Sequence, residues 1–182
     1  MVRSLGVSAH VYVSTEVDYE SIDRVRTAHK AAFKAEEGMS LTYLPFVARA
    51  LVDALADFPH VNASMGEESE LVVHGSVNLG IAVELEDGKG LIVPVIRNAE
   101  GLNLLGVTRA IADLAERSRS KKLLPDDVQG GTFTITNPGG YGTFHGTPII
   151  NQPQAAILGT YAVVKRPWVI QDARGADVIA VR

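Results

Sequence analysis

Cysteine does not occur anywhere in the 182 residues. Its absence excludes disulfides, thiol catalysis and cysteine-ligated zinc from this chain. Long apolar runs are missing as well: stretches such as Leu91 to Ile96 fall far short of the roughly 20 residues a membrane-spanning helix needs. No block of lysines and arginines stands out, and the net charge is −4. Neither nucleic acid nor an anionic membrane is therefore the expected partner. Met1-Val2-Arg3-Ser4 leads straight into a strand-like pattern, unlike a signal peptide, and a cytoplasmic protein is expected. Internal repeats and low-complexity linkers are also lacking, and the length suits one domain with a proper core.

Signatures of catalysis are equally sparse. There is no G-x-S-x-G elbow and no G-x-x-x-x-G-K-[ST] phosphate loop. His10, His29, His60, His74 and His145 are scattered, and none has metal-ligand spacing to another histidine or to a carboxylate. His29 and His60 are expected to face solvent, His74 to sit at a strand end, and His10 to be a hydrogen-bonded buried residue. His145 is nearest the glycine-dense stretch and is the one histidine with a catalytic claim on residue chemistry alone.

What remains is a composition of 46% apolar and 21% charged residues, that of an ordinary globular domain. Ser8 to Val17 alternates and predicts a strand. Asp18 is placed to cap a helix carrying Ile22, Val25, Ala28, Ala32 and Phe33, stopped by Gly38. A second helix begins near Ser40 or Thr42, tolerates Pro45 in its first turn and ends at Phe58-Pro59. Its stripe of Leu44, Val47, Ala48, Leu51 and Leu55, with almost no charge before Leu51, predicts deep burial. Strands are expected at Leu71–His74, Leu79–Leu85 and Leu91–Arg97, the last two joined by the hairpin signal Glu86-Asp87-Gly88-Lys89-Gly90. Pro94 marks an edge or a bulge. Asn103 caps a third helix with Leu104, Val107, Ile111, Leu114 and Ala115 on one face and a cationic end from Arg117 to Lys122. Further strands are expected at Ala155–Val164, Trp168–Ile170 and Asp177–Val181, with a turn at Asp172-Ala173-Arg174-Gly175. These elements predict a mixed α/β sandwich with helices covering one face of the sheet.

Residues 130–146 read GGTFTITNPGGYGTFHG. Phe133 and Ile135 alternate with Thr134 and Thr136, and Asn137-Pro138-Gly139-Gly140 is strong turn chemistry. Two readings fit these residues: a strand ending in a turn, or a row of hydroxyls beside a glycine loop that lines a polar channel.

Several stretches together resemble the catalytic core domain of dihydrolipoamide acyltransferases, the central subunits of 2-oxo acid dehydrogenase complexes. They are Ser8-Ala9-His10-Val11 with Glu16-Val17-Asp18, Leu41-Thr42-Tyr43-Leu44-Pro45-Phe46, Pro59-His60-Val61-Asn62-Ala63-Ser64 and Leu79-Gly80-Ile81-Ala82-Val83. Gly90 to Ala99, Gly130 to Asn137 and Thr147 to Gly159 complete the set, in order and in register. The resemblance covers residues 1–182 as one acyltransferase catalytic domain. It implies an α/β (α+β) two-layer sandwich of the chloramphenicol acetyltransferase-like type, a homotrimer assembling into a larger core. The dehydrogenase and dihydrolipoamide dehydrogenase components are its implied partners.

The reaction so implied moves an acyl group between a dihydrolipoyl thiol and coenzyme A, both substrates, with no metal. Carried over residue by residue, Thr136 is the hydroxyl that donates a hydrogen bond to the tetrahedral oxyanion. Asn137, Gly139 and Gly140 border the substrate channel. One departure stands against this. The family's general base lies in a His-x-x-x-Asp-Gly motif, and no histidine here is followed four residues on by Asp-Gly. The expectation is a domain incomplete at both ends, without lipoyl or subunit-binding domains and without its base, hence inactive as written. The competing expectation is a non-catalytic assembly or scaffold fragment. Acetyl, succinyl and branched-chain members share these motifs, so the acyl group stays open.

Overall fold

The structure, a computed structural model, describes residues 2–66, 70–85, 88 and 90–182. Among these residues four α-helices form: α1 Val2–Val7, α2 Glu20–Glu37, α3 Leu44–Asp57 and α4 Leu104–Arg119. Ten short strands among the described residues follow α3, six before α4 and four after it. These are β1 Ala63–Met65, β2 Leu71–Val73, β3 Leu79–Ile81, β4 Val83–Leu85, β5 Gly90–Ile92, β6 Val95–Ile96, β7 Phe133–Thr136, β8 Ile157–Gly159, β9 Pro167–Gln171 and β10 Asp177–Val181.

The central sheet has the order β6-β3-β7-β8, with β3–β6 antiparallel and both β3–β7 and β7–β8 parallel. β1–β2, β4–β5 and β9–β10 are separate antiparallel pairs. The long strands expected at Leu79–Leu85 and Leu91–Arg97 are each broken in two. Pro94 has no N–H to give to a ladder, and its carbonyl instead accepts from the Ile81 N–H (2.9 Å). Ala82 donates to the carbonyl of Ile135 (2.9 Å), on the β7 side. As Pro94 predicts, β6 lies at the sheet edge. Glu86, Asp87 and Lys89 of the hairpin signal lie outside the described residues, although β4 and β5 do pair in register across them.

Helices α3 and α4 pack on each other, and α4 lies against β4 and β6. Ala48, Val52 and Leu55 of α3 and Val107 and Leu114 of α4 meet Leu79, Ile81, Phe133 and Ile135 of the sheet in one core. Helix α3, with Pro45 in its first turn, buries only part of its expected stripe: Ala48 and Leu55 are buried, together with Val52, while Leu44, Val47 and Leu51 are half-buried. On α4 the Asn103 side chain accepts from the Gly106 N–H (2.9 Å). The buried hydroxyls of Thr108 and Ser118 return to the carbonyls of Leu104 (2.7 Å) and Leu114 (2.6 Å). Asn103→Ala is expected to lower stability by about 1 kcal/mol, measured by urea unfolding, with the slope of the transition unchanged.

Helix α2 forms without a buried face, and one predicted strand does not form. Helix α2 ends as predicted on Gly38 in the left-handed region (φ 71°), and the Asp18 carboxylate accepts from the Glu20 N–H (2.8 Å). Yet α2 buries no residue. It is attached through polar contacts instead. Tyr43 donates to Asp23 (2.5 Å), Arg26 donates to the same carboxylate (2.9 Å) while lying over the Tyr43 ring, and Arg109 grips Glu37 with two bonds of 2.8 Å. These partners hold the Asp23 carboxyl below the usual carboxylate range, Tyr43 first and Arg26 second.

The expectation that fails is the strand Ser8–Val17, which pairs with no described strand. It runs as an arm whose Val11 and Val13 are 86% and 87% exposed. Side chains, not a ladder, fasten it. Ser8 bonds Gln152, the His10 ring accepts from the Ile150 N–H (3.2 Å), Tyr12 meets His145, and Glu16 and Asp18 pair with Arg166 and Arg182. The alternation is real, but pairing depends on a partner strand that local sequence does not specify. Between the arm, α2, α3 and residues 147–166 lies an open cleft of about 1930 Å³, larger than the roughly 300–1,000 Å³ of an ordinary small-molecule pocket.

Candidate functional site

Strand β7 explains the glycine-dense stretch. It lies between β3 and β8, parallel to both, so its alternation sorts side chains to two sides. Phe133 and Ile135 enter the core, 4% and 1% exposed. The three threonines on the other phase do not form one polar row. Thr132 accepts from the Asn78 N–H (3.0 Å). Thr134 is 1% exposed and donates to the Gln154 side-chain carbonyl (2.6 Å), while the Gln154 amide donates to the Gly131 carbonyl (3.0 Å). Both hydroxyls are consumed in holding the strand. The channel lined by a row of hydroxyls is therefore replaced by a single half-buried threonine at the strand end.

That threonine is Thr136. It pairs with Gly159, and its carbonyl accepts from the Thr160 N–H (2.9 Å). Its hydroxyl makes no hydrogen bond among the described residues. Gly159 and Thr160 line the large cleft, whereas Thr136 does not. The two features are adjacent rather than one site, and the cleft's size alone does not make it the place of chemistry.

Beyond Thr136 the chain makes one tight turn. The Asn137 side chain accepts from the Gly139 N–H (3.1 Å), as turn chemistry predicts. A 3₁₀ turn over Pro138–Tyr141 then closes with the Gly142 N–H on the Gly139 carbonyl (3.0 Å). Gly142 is left-handed (φ 73°). Gly139 is required by space: a Cβ there would lie 2.5 Å from the backbone of Tyr161. Gly140 has open room around it, so packing gives no reason for it. Asn137, Gly139 and Gly140 are thus gathered beside Thr136 in one turn.

The histidines are not gathered. His145 is exposed and bonds the Tyr12 hydroxyl through Nδ1 (3.1 Å), with the rings edge to face at 4.9 Å. His74 contacts the Ser64 hydroxyl through Nε2 (2.9 Å) just after β2. His10, expected to be buried, is exposed but hydrogen-bonded. Its Nε2 accepts from the Ile150 N–H, and Nδ1 reaches the Ser8 carbonyl (3.0 Å), which assigns the Nδ1–H tautomer. His74 and His145 each meet a hydroxyl, but among the described residues no carboxylate bonds either ring to complete a triad.

Residue patterns missed Gln154 and Tyr161. Gln154 is 4% exposed and bonds across 20 and 23 positions of sequence. Tyr161 donates to the Gly146 carbonyl (2.7 Å), and burial, with Tyr12 second, raises its phenol above the usual tyrosine range. No periodicity or spacing announces either.

Solved structures share this architecture. A crystal structure of a probable dihydrolipoamide acetyltransferase from Listeria monocytogenes superposes with a TM-score of 0.91 at 40% identity, covering 100% of this chain and 74% of that one. The cubic core of a pyruvate dehydrogenase multienzyme complex superposes with a TM-score of 0.89 at 35% identity, over 99% of this chain and 72% of that one. In sequence, the dihydrolipoyllysine-residue acetyltransferase component of the pyruvate dehydrogenase complex of Mycobacterium bovis is 49% identical over 181 residues, 99% of this chain. The chain spans about a third of that relative's length, 32%. The family model for the catalytic domain of 2-oxoacid dehydrogenase acyltransferases matches residues 1–182. With β7, its turn and the mixed sheet all in place, the chain belongs to the 2-oxoacid dehydrogenase acyltransferase family, as its catalytic domain.

Proposed function

We propose that this domain transfers an acetyl group between a dihydrolipoyl thiol and coenzyme A, with Thr136 as the oxyanion donor. The observation that carries the reading is the contrast within β7. Thr132 and Thr134 spend their hydroxyls inside the fold, whereas the hydroxyl of Thr136 is left free among the described residues. Acetyl is chosen because the Mycobacterium bovis relative is the acetyltransferase of a pyruvate dehydrogenase complex.

In the proposed reaction a base takes the proton from the attacking thiol, whose pKa of about 8.5 leaves it mostly protonated near neutral pH. The sulfur adds to the thioester carbonyl, and negative charge collects on the oxygen. The Thr136 O–H donates to that oxygen in the tetrahedral state. Collapse then expels the other thiolate, which recovers the proton. Asn137, Gly139 and Gly140 border the path of the two thiols. The base is a histidine of the His-x-x-x-Asp-Gly type, which the 182 residues do not contain. The domain works in a homotrimer within a larger core, alongside the dehydrogenase and dihydrolipoamide dehydrogenase components. The exposed apolar arm and the open cleft support assembly with further polypeptide.

The test is acetyl transfer between acetyl-CoA and dihydrolipoamide. Two proteins are compared: the 182-residue chain, and a chimera extended by the His-x-x-x-Asp-Gly segment of an active relative. Transfer by the chimera alone is expected, with succinyl-CoA a poorer donor. Turnover by the 182 residues alone at the rate of the relative overturns the base assignment. An inactive but folded chimera overturns acyl transfer and leaves the scaffold reading, which large particles in light scattering would then support.

A further inference from the structure

Tyr161 touches the turn after Thr136 at both of its ends. The phenol O–H donates to the carbonyl of Gly146 (2.7 Å). The ring fills a hollow that only glycines leave open: a Cβ on Gly159 would come 2.5 Å from the phenol oxygen, and one on Gly146 would come 3.3 Å from the ring. The backbone carbonyl of Tyr161 lies against Gly139, the first glycine of the turn. Its two chain neighbours bond the same segment. Thr160 donates to the carbonyl of Thr136, and Ala162 donates to that of Thr143 (both 2.9 Å). Residues 160–162 therefore hold the start, middle and end of residues 136–146.

The segment needs such a hold. Its glycines widen the backbone freedom available to it, it carries Tyr141 and Phe144 exposed to solvent, and it buries no residue of its own. Without a clamp, the direction of the last β7 hydroxyl and of the Gly139 and Gly140 N–H groups would be loosely set. A displacement of about 1 Å at such a donor is enough to cost roughly 10²-fold in rate.

We propose that Tyr161 is a positioning residue: its ring, wedged between Gly146 and Gly159, and its backbone, pressed on Gly139, fasten the 137–146 turn and so aim the Thr136 hydroxyl. The proposal rests on the acyl-transfer reading of Thr136, and the test separates the two. Amide hydrogen exchange on the 182-residue chain reads the clamp without any reaction. In Tyr161→Ala the Ala162 and Gly142 N–H groups are expected to exchange at least about 10-fold faster, while amides of α3 and α4 keep their rates, since only the local opening is changed.

Tyr161→Phe keeps the wedge and loses one hydrogen bond. It is expected to raise exchange only about 3-fold, in line with a single modest bond. In the base-bearing chimera Tyr161→Ala should lower kcat about 10²-fold with KM for coenzyme A unchanged, and Tyr161→Phe should recover most of it. Unchanged exchange at Ala162 and Gly142 in Tyr161→Ala overturns the clamp whatever the kinetics. Faster exchange spread equally over α3 and α4 overturns it too, because Tyr161 would then be a global stability residue. Should Tyr161→Ala fail to fold, Tyr161→Phe decides: exchange and kcat both equal to the parent overturn the proposal. Faster loop exchange together with an inactive parent chimera supports the clamp and overturns the acyl-transfer reading instead.

Discussion

Thr136→Val, made in the chimera that carries the base, is expected to lower kcat by about 10²–10³-fold, the usual cost of one lost oxyanion donor. Valine is close to threonine in volume and shares its stiff, strand-compatible β-branch, so the ladder to Gly159 and the Thr160 bond to the Thr136 carbonyl are kept. The hydroxyl has no partner among the described residues, so its removal orphans nothing, and the unfolding midpoint should stay where it is. KM for coenzyme A should hardly move, because the bond is made in the transition state and not to the bound thioester. Thr136→Ser keeps the donor with a freer χ1 and should stay within about 10-fold of the parent. An unchanged kcat in Thr136→Val would remove Thr136 from the mechanism.

Gln154→Leu is expected to do the opposite, costing stability rather than chemistry. Leucine fills much of the same space but offers no polar atom. The Thr134 hydroxyl and the Gly131 carbonyl would both be left without their partner in the interior. Each such orphan costs about 1–3 kcal/mol, so the pair should lower Tm by about 10 °C in a domain of this size. Thr134→Val orphans only the Gln154 carbonyl and should cost about half as much. The double variant Thr134→Val with Gln154→Leu leaves one orphan, the Gly131 carbonyl, and should be less destabilised than the sum of the singles. Thermal unfolding of the four proteins completes the cycle, and strict additivity would show that the 2.6 Å contact carries no coupling. Two threonines two positions apart on one strand thus separate cleanly, one into rate and the other into stability.

That separation was invisible in TFTIT. Alternation separates Phe133 and Ile135 from Thr134 and Thr136, since period two is a property of the strand itself, and the two apolar residues do lie in the core. It puts Thr134 and Thr136 on one phase without saying which hydroxyl is free. Gln154 and Asn78, distant in sequence, decide that. Thr136 is singled out by likeness to a family, and the turn after it brings Asn137 and Gly139 alongside.

Where the chain's own atoms hold the information, the amino-acid order was sufficient. Gly38 stops α2 because only glycine enters the left-handed region cheaply. Asn103 starts α4 because its side chain reaches an N–H three residues on. Asp172 to Gly175 turns because the Asp172 carboxylate bonds the Arg174 and Ala176 N–H groups. Pro94 breaks its strand for want of a donor, and the half that follows lies at the sheet edge.

Other features belong to the tertiary structure alone. The arm at Ser8–Val17 has a strand's pattern and no ladder, α2 has apolar residues at helical spacing and buries none, and Tyr161 becomes a clamp only because Gly139, Gly146 and Gly159 converge on it. In each case the deciding partner is remote along the chain. A residue's intrinsic preference reports the conformation it favours, but which remote group satisfies its hydrogen bonds or fills its space is settled by how the packed elements meet.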